Sequence, residues 1–347
     1  MGQHGTTDSP YRGNGYLDRR ATRSARGCTR PRHDAPMSRF RLLLMFAVVG
    51  GLSGALCRAQ FPRGDRRQPW GGETGPMVRT EGGQWVNEET VRTARETLPQ
   101  VTTTPNWTNG VGFEQSTFTF ARIQFKSPGR PAVMGWINDY PDSDLNLSFR
   151  LQQLTSLKVD PDGRVVKLTD PRLASYPFIF AAHPGAMELT DDEVAAMRKY
   201  LLNGGVFMAD DFWGSREWDT FEGQMKRVLP GKAWVELPFE HPLFHCIFDL
   251  KGGMSTLQIP SIHFWRRNRD SANPRAGVSR SRGPGSDEMH VRAWLDDHGR
   301  IMIIAMHNSD DGDGWEREGE DEEYFHQFSE ARAYPLAINL VFYLMTH

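Results

Sequence analysis

The chain has 347 residues, 38% of them hydrophobic, and a formal net charge of −2. That length buries a sizeable core and excludes a chain disordered throughout. Ten arginines and three aspartates fall within residues 1–59, so the rest carries 31 basic against 40 acidic residues, a balance of −9 that argues against a nucleic-acid surface.

Residues 1–36 are rich in Arg, Gly and Ser without hydrophobic periodicity and read as an upstream extension, with Met37 as the start. The stretch MSRFRLLLMFAVVGGLSGALCRAQ then has a basic beginning at Arg39 and Arg41, an apolar run from Leu42 to Leu56, and small residues at Ala55 and Ala59. This is the pattern of a secretory signal peptide over 37–59, cleaved after one of those alanines. The apolar run is short for a spanning helix. The expectation is therefore an extracytoplasmic protein, periplasmic or secreted, with no stable membrane span after cleavage and a membrane anchor only if the signal is retained. Cys28, Cys57 and Cys246 cannot make a disulfide framework.

Residues 60–115, rich in Gly, Pro, Thr and Arg, read as a linker or wrapping arm, with one short helix over 88–97. Trp70, Trp85 and Trp107 suggest that parts of it dock on the body.

The body, 116–347, opens with a strand at FTFARIQF, 118–125. A helix follows, capped by Ser143 or Asp144 and carrying Leu147, Leu151 and Leu154 on one face. VVKLTD, 165–170, is the second strand. YPFIFAAH, 176–183, is an apolar run suited to a strand covered on both faces. Thr190 and Glu193 have capping-box spacing, Val194, Met197 and Leu201 give a buried helical stripe, and Asn203-Gly204-Gly205 ends the helix. VFMADD is the next strand, which makes a right-handed βαβ unit with parallel strands. Further along come an amphipathic helix from Ser215 that ends before Pro230, strands at AWVELP, 261–265 and 291–295, a turn at 296–299, the strand RIMIIAMHN, and a buried last helix over 334–345 begun by Pro335. The Ser/Arg/Gly/Pro run between Arg266 and Glu288 reads as a solvated loop, with a basic partner-binding patch as the alternative.

The segments DYPDSDLNLSFRLQQLTSLKV, KLTDPRLASYPFIFAAHPG, LTDDEVAAMRKYLLNGGVFMADDFWG, HPLFHCIFDL, DDHGRIMIIAMHNSDDGDGWE and YPLAINLVFYLMTH resemble, in this order, the bacterial DUF4159 family. The resemblance spans 118–347. It implies an α/β fold like the class I glutamine amidotransferases, a flavodoxin-like three-layer sandwich with a mostly parallel central sheet, in proteins exported or held at the membrane. It implies no particular activity.

Amidotransferases of that fold place a cysteine at the elbow after a central strand. This chain has His183-Pro184-Gly185 there and no GxSxG motif, so amidotransferase chemistry is not supported. In parallel sheets ligands sit beyond the carboxyl ends of the strands. That edge is expected to carry Asp139, Asp142, His183, Asp210, Asp211, His307 and Asn308, with Trp136 and Trp213 beside it for stacking.

Several readings of the edge stand open. Asp210, Asp211 and His183 could hold a divalent metal, since carboxylates and neutral imidazoles are ordinary ligands. The same aspartates could instead cap loops and helices, with His183 closing the elbow turn, or the edge could be a non-catalytic pocket for a small ligand. His241 and His245, at i, i+4 spacing, are a second metal candidate, though such a pair without a third ligand is more often packed. In SDDGDGWEREGE, Ser309, Asp311, Asp313, Gly314 and Glu320 fall on calcium-loop positions, but the first lacks its carboxylate and a strand precedes them, so the match reads as coincidence. No nucleotide-cofactor motif is present. The sequence reading is an exported, non-catalytic binding or assembly component of the cell envelope, whose partners are other envelope proteins or a small ligand. A metal-dependent hydrolase using the Asp/His edge is the rival.

Overall fold

Successive side chains of a strand point to opposite faces, so one apolar run can build two cores. In β5 (Phe178–Ala182), Phe178, Phe180 and Ala182 enter one hydrophobic cluster, and Ile179 and Ala181 the other. The computed structural model describes residues 75–101, 103–112, 116–273, 275–278 and 283–347. The signal sequence expected at 37–59, the extension before it and Trp70 lie outside these residues.

A seven-stranded sheet organises the molecule. Its strands besides β5 are β3 (Ala121–Gln124), β4 (Arg164–Lys167), β6 (Val206–Phe212), β7 (Val235–Glu236), β8 (His290–Leu295) and β9 (Ile301–His307). They lie in the order β4-β3-β5-β6-β9-β8-β7. The pairs from β4 to β9 are parallel, and β8 and β7 continue antiparallel at one edge. The register sets Ala182 opposite Asp210 and Phe212 opposite His307, which aligns the carboxyl ends of β5, β6 and β9.

Helices cover both faces, so the molecule is a three-layer α/β structure. Residues of α2 (Asp191–Leu202) and α3 (Gly214–Val228) join one core, those of α8 (Tyr334–Thr346) join the other, and α1 (Asp142–Leu154) gives Leu145 to the first and Leu147 and Leu151 to the second. α4 (Met254–Leu257) and α7 (Glu322–Tyr324) are single short turns. The capping box of α2 forms as its spacing predicts, with the Glu193 N–H on Thr190 Oγ1 at 3.3 Å and the Thr190 N–H on Glu193 Oε2 at 2.8 Å. Gly204, at φ 100°, follows the helix in the left-handed conformation.

Some local expectations do not hold. The segment at 261–265 is helical, within α5 (Ile262–Asn268), rather than a strand. Its buried Ile262 and Trp265 are three apart, a helical interval that the short apolar run masks. The helix expected over 88–97 is reduced to one 3₁₀ turn, Ala94–Glu96. α1 starts at Asp142, so Ser143 and Asp144 lie inside it rather than capping it. The last helix is buried through Val341 and emerges at Met345, 47% exposed.

The described part of the arm docks on the body. A hairpin of β1 (Met77–Arg79) and β2 (Trp85–Asn87) opens it. Backbone bonds tie Ala94 N–H to Asp162 O at 2.9 Å and Val165 N–H to Arg92 O at 2.9 Å. Trp107 donates from Nε1 to Val159 O at 2.9 Å, whereas Trp85 stays 63% exposed beneath the Arg79 guanidinium. No helix among the described residues is long and apolar enough to cross a membrane.

Candidate functional site

The non-glycine residues with positive φ among those described are Asp139 at 60°, His183 at 55°, Asp211 at 54° and Asn308 at 63°. Left-handed backbone is uncommon outside glycine, although Asp, Asn and His tolerate it best. His183 directly follows β5, Asp211 lies near the end of β6, Asn308 directly follows β9, and Asp139 ends the loop that leads into α1. Left-handed turns thus bend the chain back from several strand ends at one edge of the sheet.

Each expected site residue has a definite place there, and none is more than 3% exposed. The His183 N–H donates to Asp210 O at 2.9 Å, closing the elbow. Asp211 accepts from Trp213 Nε1 at 2.8 Å and from Asn138 Nδ2 at 2.9 Å. Asp142 fastens the arm, accepting the N–H groups of Gln100 at 2.7 Å and Val101 at 3.1 Å. Asn308 accepts the Gly214 N–H at 2.7 Å and donates to Gly285 O and Glu288 O, which pins two loops. Trp136 bonds the Glu88 carboxylate at 2.6 Å and borders a groove of about 310 Å³ with Val78, Lys126 and Arg130.

His307 turns toward the aromatic side of the sheet. Its ring packs on Phe212 and Trp218, Nε2 meets Gly214 O at 3.0 Å, and Nδ1 accepts from Arg292 at 3.2 Å. Burial, reinforced by the nearby Arg292 and His290, pulls its pKa down to about 3, so the imidazole is neutral.

The acidic centre is larger than the sequence suggested. Asp210 Oδ2 accepts the Gly312 N–H at 2.8 Å. Its other oxygen and both oxygens of the neighbouring Asp311 are buried without a hydrogen-bond partner. Burial first, then the nearby Asp311 and Asp211, raise the Asp210 pKa well above the usual carboxylate range, and burial pushes Asp311 up to about 6. Asp139 accepts from Asn138 Nδ2 at 2.7 Å on one oxygen and has no hydrogen-bond partner on Oδ2. A Cβ on Gly312 would overlap that oxygen, so the carboxylate lies directly on bare backbone. Burial, then Asp313 and Asp211, raise the Asp139 pKa well above the usual carboxylate range.

The remaining acids come from the start of α6 (Asp311–Glu316). Asp310 accepts the Asp313 N–H at 3.0 Å. Asp313 accepts the Ile262 N–H at 2.7 Å and Arg317 Nε at 3.0 Å. Burial alone would raise Asp313, but Arg317 and the Ile262 N–H hold it below its ordinary pKa. Glu316 is fully buried, and burial, with Asp139 and Asp313 adding to it, raises its pKa well above normal despite Arg317. Arg317 also pairs with Glu81 of the arm. Below this layer the buried Arg122 forms an ion pair with Asp144 and donates to Trp136 O at 2.9 Å and Asn138 O at 2.8 Å, fixing the loop that carries Asp139.

The metal sets suggested by sequence are not the ones assembled. Among the described residues, the groups of three whose ligand atoms lie within 4.8 Å of one another are Glu81/Asp139/Glu316 and Asp139/Asp310/Asp313. Neither contains His183, Asp210 or Asp211, whose carboxylates and backbone are engaged as above. His241 and His245 flank a 3₁₀ turn, Pro242–Phe244, instead of sharing a helix face. His241 accepts the Leu243 N–H, while His245 bridges Asp249 and Phe239 O. Asp310, Asp313, Glu316, Glu81 and Arg317 were absent from the expected site. Their signal was available in the acid-rich block NSDDGDGWE, whose spacing argued against a calcium loop but not against an acidic cluster of another shape.

These blocks belong to a recognised sequence family. The model of a domain of unknown function, DUF4159, matches residues 119–345. The chain belongs to the DUF4159 family. The matched span of this DUF4159 protein runs from just before β3 to the end of α8 and contains Asp139, His183, Asp210 and the whole acid-rich block. Among curated proteins, none matches this DUF4159 chain in sequence.

Proposed function

We propose that this DUF4159 protein is an exported, non-catalytic binding or assembly component of the cell envelope. The observation that carries the reading is the closure of the acid-and-imidazole edge: a hydrolytic site must admit substrate to its reacting groups, and here they are buried in protein. The elbow gives independent support. Its left-handed residue is His183, so the elbow presents an imidazole and no thiol. Cys246, the cysteine among the described residues, lies far along the chain beside Asn339 O, and burial raises its pKa, which disfavours the thiolate.

The parallel strands β4-β3-β5-β6-β9 follow the order 2-1-3-4-5 when numbered among themselves, which supports a flavodoxin-like, amidotransferase-like sandwich. Export rests on the signal-peptide pattern at 37–59.

The test joins fractionation to an activity screen. Tagged at its C-terminus, the chain is expected in the extracytoplasmic fraction with a new N-terminus between residues 56 and 60. Purified protein supplied with zinc or manganese is expected to show no turnover of chromogenic esters, phosphoesters, amides or glycosides. Metal-dependent turnover that disappears in Asp210→Asn would establish the hydrolase in its place.

A further inference from the structure

The closed edge has more negative groups than its neighbours balance. Asp139, Asp310, Asp313 and Glu316 are each 3% exposed or less, and the cation among them is Arg317. Buried carboxylates are tolerated when they are protonated, paired or coordinated to a metal. Arg317 pairs with Asp313 at 3.0 Å and lies 2.9 Å from Glu316, and its remaining contacts go to Glu81 and Glu320. Its ion pairs do not extend to Asp139.

Asp139 belongs to both sets of three carboxylates that converge within 4.8 Å, one with Asp310 and Asp313 and one with Glu81 and Glu316. Asp139 Oδ2 is buried without a hydrogen-bond partner. Independently of the first set, Glu316 brings a carboxylate oxygen within 4.8 Å of one from Asp139. It is 0% exposed, its Oε2 is ion-paired with Arg317 at 2.9 Å, and its Oε1 is buried without a hydrogen-bond partner. The donors come from separated parts of the chain: the loop before α1, the start of α6, and the hairpin of the arm.

From this convergence we infer that Asp139, Asp310 and Asp313, backed by Glu316, bind one hard divalent cation, of the calcium, magnesium or manganese type, as a structural clamp. All donors are carboxylate oxygens, and that chemistry selects hard cations over zinc or copper. The clamp joins the Asp139 loop to α6 and, through Glu81, draws the arm onto the acid layer. Neither His183 nor Asp210 takes part, and no reaction is attached to the ion. The clamp therefore stands or falls separately from the non-catalytic reading: an ion can bind there whether or not any substrate is turned over.

The experiment uses the full chain, stripped with chelator and dialysed. Calcium, magnesium and manganese are added singly, and bound metal is measured by elemental analysis alongside thermal unfolding. The expected result is one equivalent of at least one of these ions and, at a hundredfold excess over its Kd, a rise in Tm of about 5 to 10 °C. Asp139→Asn is expected to lose both the ion and the rise, and Glu316→Gln to weaken binding about tenfold or more. Less than a tenth of an equivalent bound at millimolar concentration, with Tm unchanged, would overturn the clamp. So would a bound ion that both variants retain at wild-type strength. If neither variant folds, the stoichiometry and Tm response of the wild-type chain decide.

Discussion

At the scale of single residues, buried polar groups set the largest costs. Arg122 and Asp144 are both 0% exposed, and Arg122 also satisfies the carbonyls of Trp136 and Asn138. Replacing one partner leaves the other charge stranded, so Arg122→Met should cost about 3–5 kcal/mol in urea unfolding, and the double change Arg122→Met with Asp144→Leu less than that. Gly312 faces a different constraint, because its bare Cα lies on Asp139 Oδ2. Gly312→Ala should destabilise by about 1–3 kcal/mol, read from the same urea midpoint. His307 gives the pH dependence. Its folded pKa is depressed to about 3, whereas the unfolded imidazole titrates near 6.5. The unfolded chain therefore binds the extra proton in this window, and the stability that His307 contributes above pH 6.5 is lost as pH falls toward 3, by up to about 1.4 kcal/mol per unit. The charged and titratable groups around it, Arg292, His290 and Glu236, belong to β8 and β7 and stay in His307→Gln. Urea melts from pH 7.5 to 4.5 should show the gap between wild type and His307→Gln narrowing steadily with acid. A gap independent of pH would mean that the ring already titrates normally in the fold.

At the scale of elements, the arm and α2 show two ways that local sequence becomes structure. α2 is fixed by its own residues: the Thr190 and Glu193 box closes at its start and Gly204 turns the chain at its end. Thr190→Ala should cost about 1 kcal/mol, visible as a lower midpoint without a change in slope. The arm's local logic stops at one 3₁₀ turn, where the Thr93 N–H donates to Glu96 Oε1 at 2.9 Å. Its conformation after the hairpin is imposed largely by the body, through Asp142 on the amides of Gln100 and Val101, Arg95 on Pro161 O, and Trp107 on Val159 O. Asp142→Ala strands two amides and should cost about 1–3 kcal/mol, with faster hydrogen exchange at 98–105 and unchanged exchange in β5 and β6. The same contrast explains the segment at 261–265. Its residues Ser-Ile-His-Phe-Trp fit a strand as well as a helix, and the helix forms with Trp265 against Tyr324 and Phe328 and with the Ile262 amide on Asp313. Those partners are about 50 to 60 residues away, beyond any local window.

At the scale of the whole molecule, the sequence by itself determined the α/β class, the βαβ unit around YPFIFAAH and VFMADD, and the caps of α2, because strand burial, helical spacing and capping are short-range properties of the chain. It also brought Asp139, His183, Asp210, Asp211 and His307 to one sheet edge, since parallel strands send their carboxyl ends the same way. The tertiary structure decided what those groups do. Asp142 serves the arm, Asn308 pins two loops and His307 faces the aromatic layer, whereas Asp139 meets Asp310, Asp313 and Glu316 from α6. Burial, which raises some of these carboxyls and depresses the His307 imidazole, depends on what covers the edge, and the cover comes from Glu81 and the rest of the arm, from α6 and from the loops held by Arg122 and Asn308. Those contacts join residues up to 236 positions apart. Periodicity and spacing report a residue's neighbours along the chain, whereas solvation and charge balance follow from its neighbours in space.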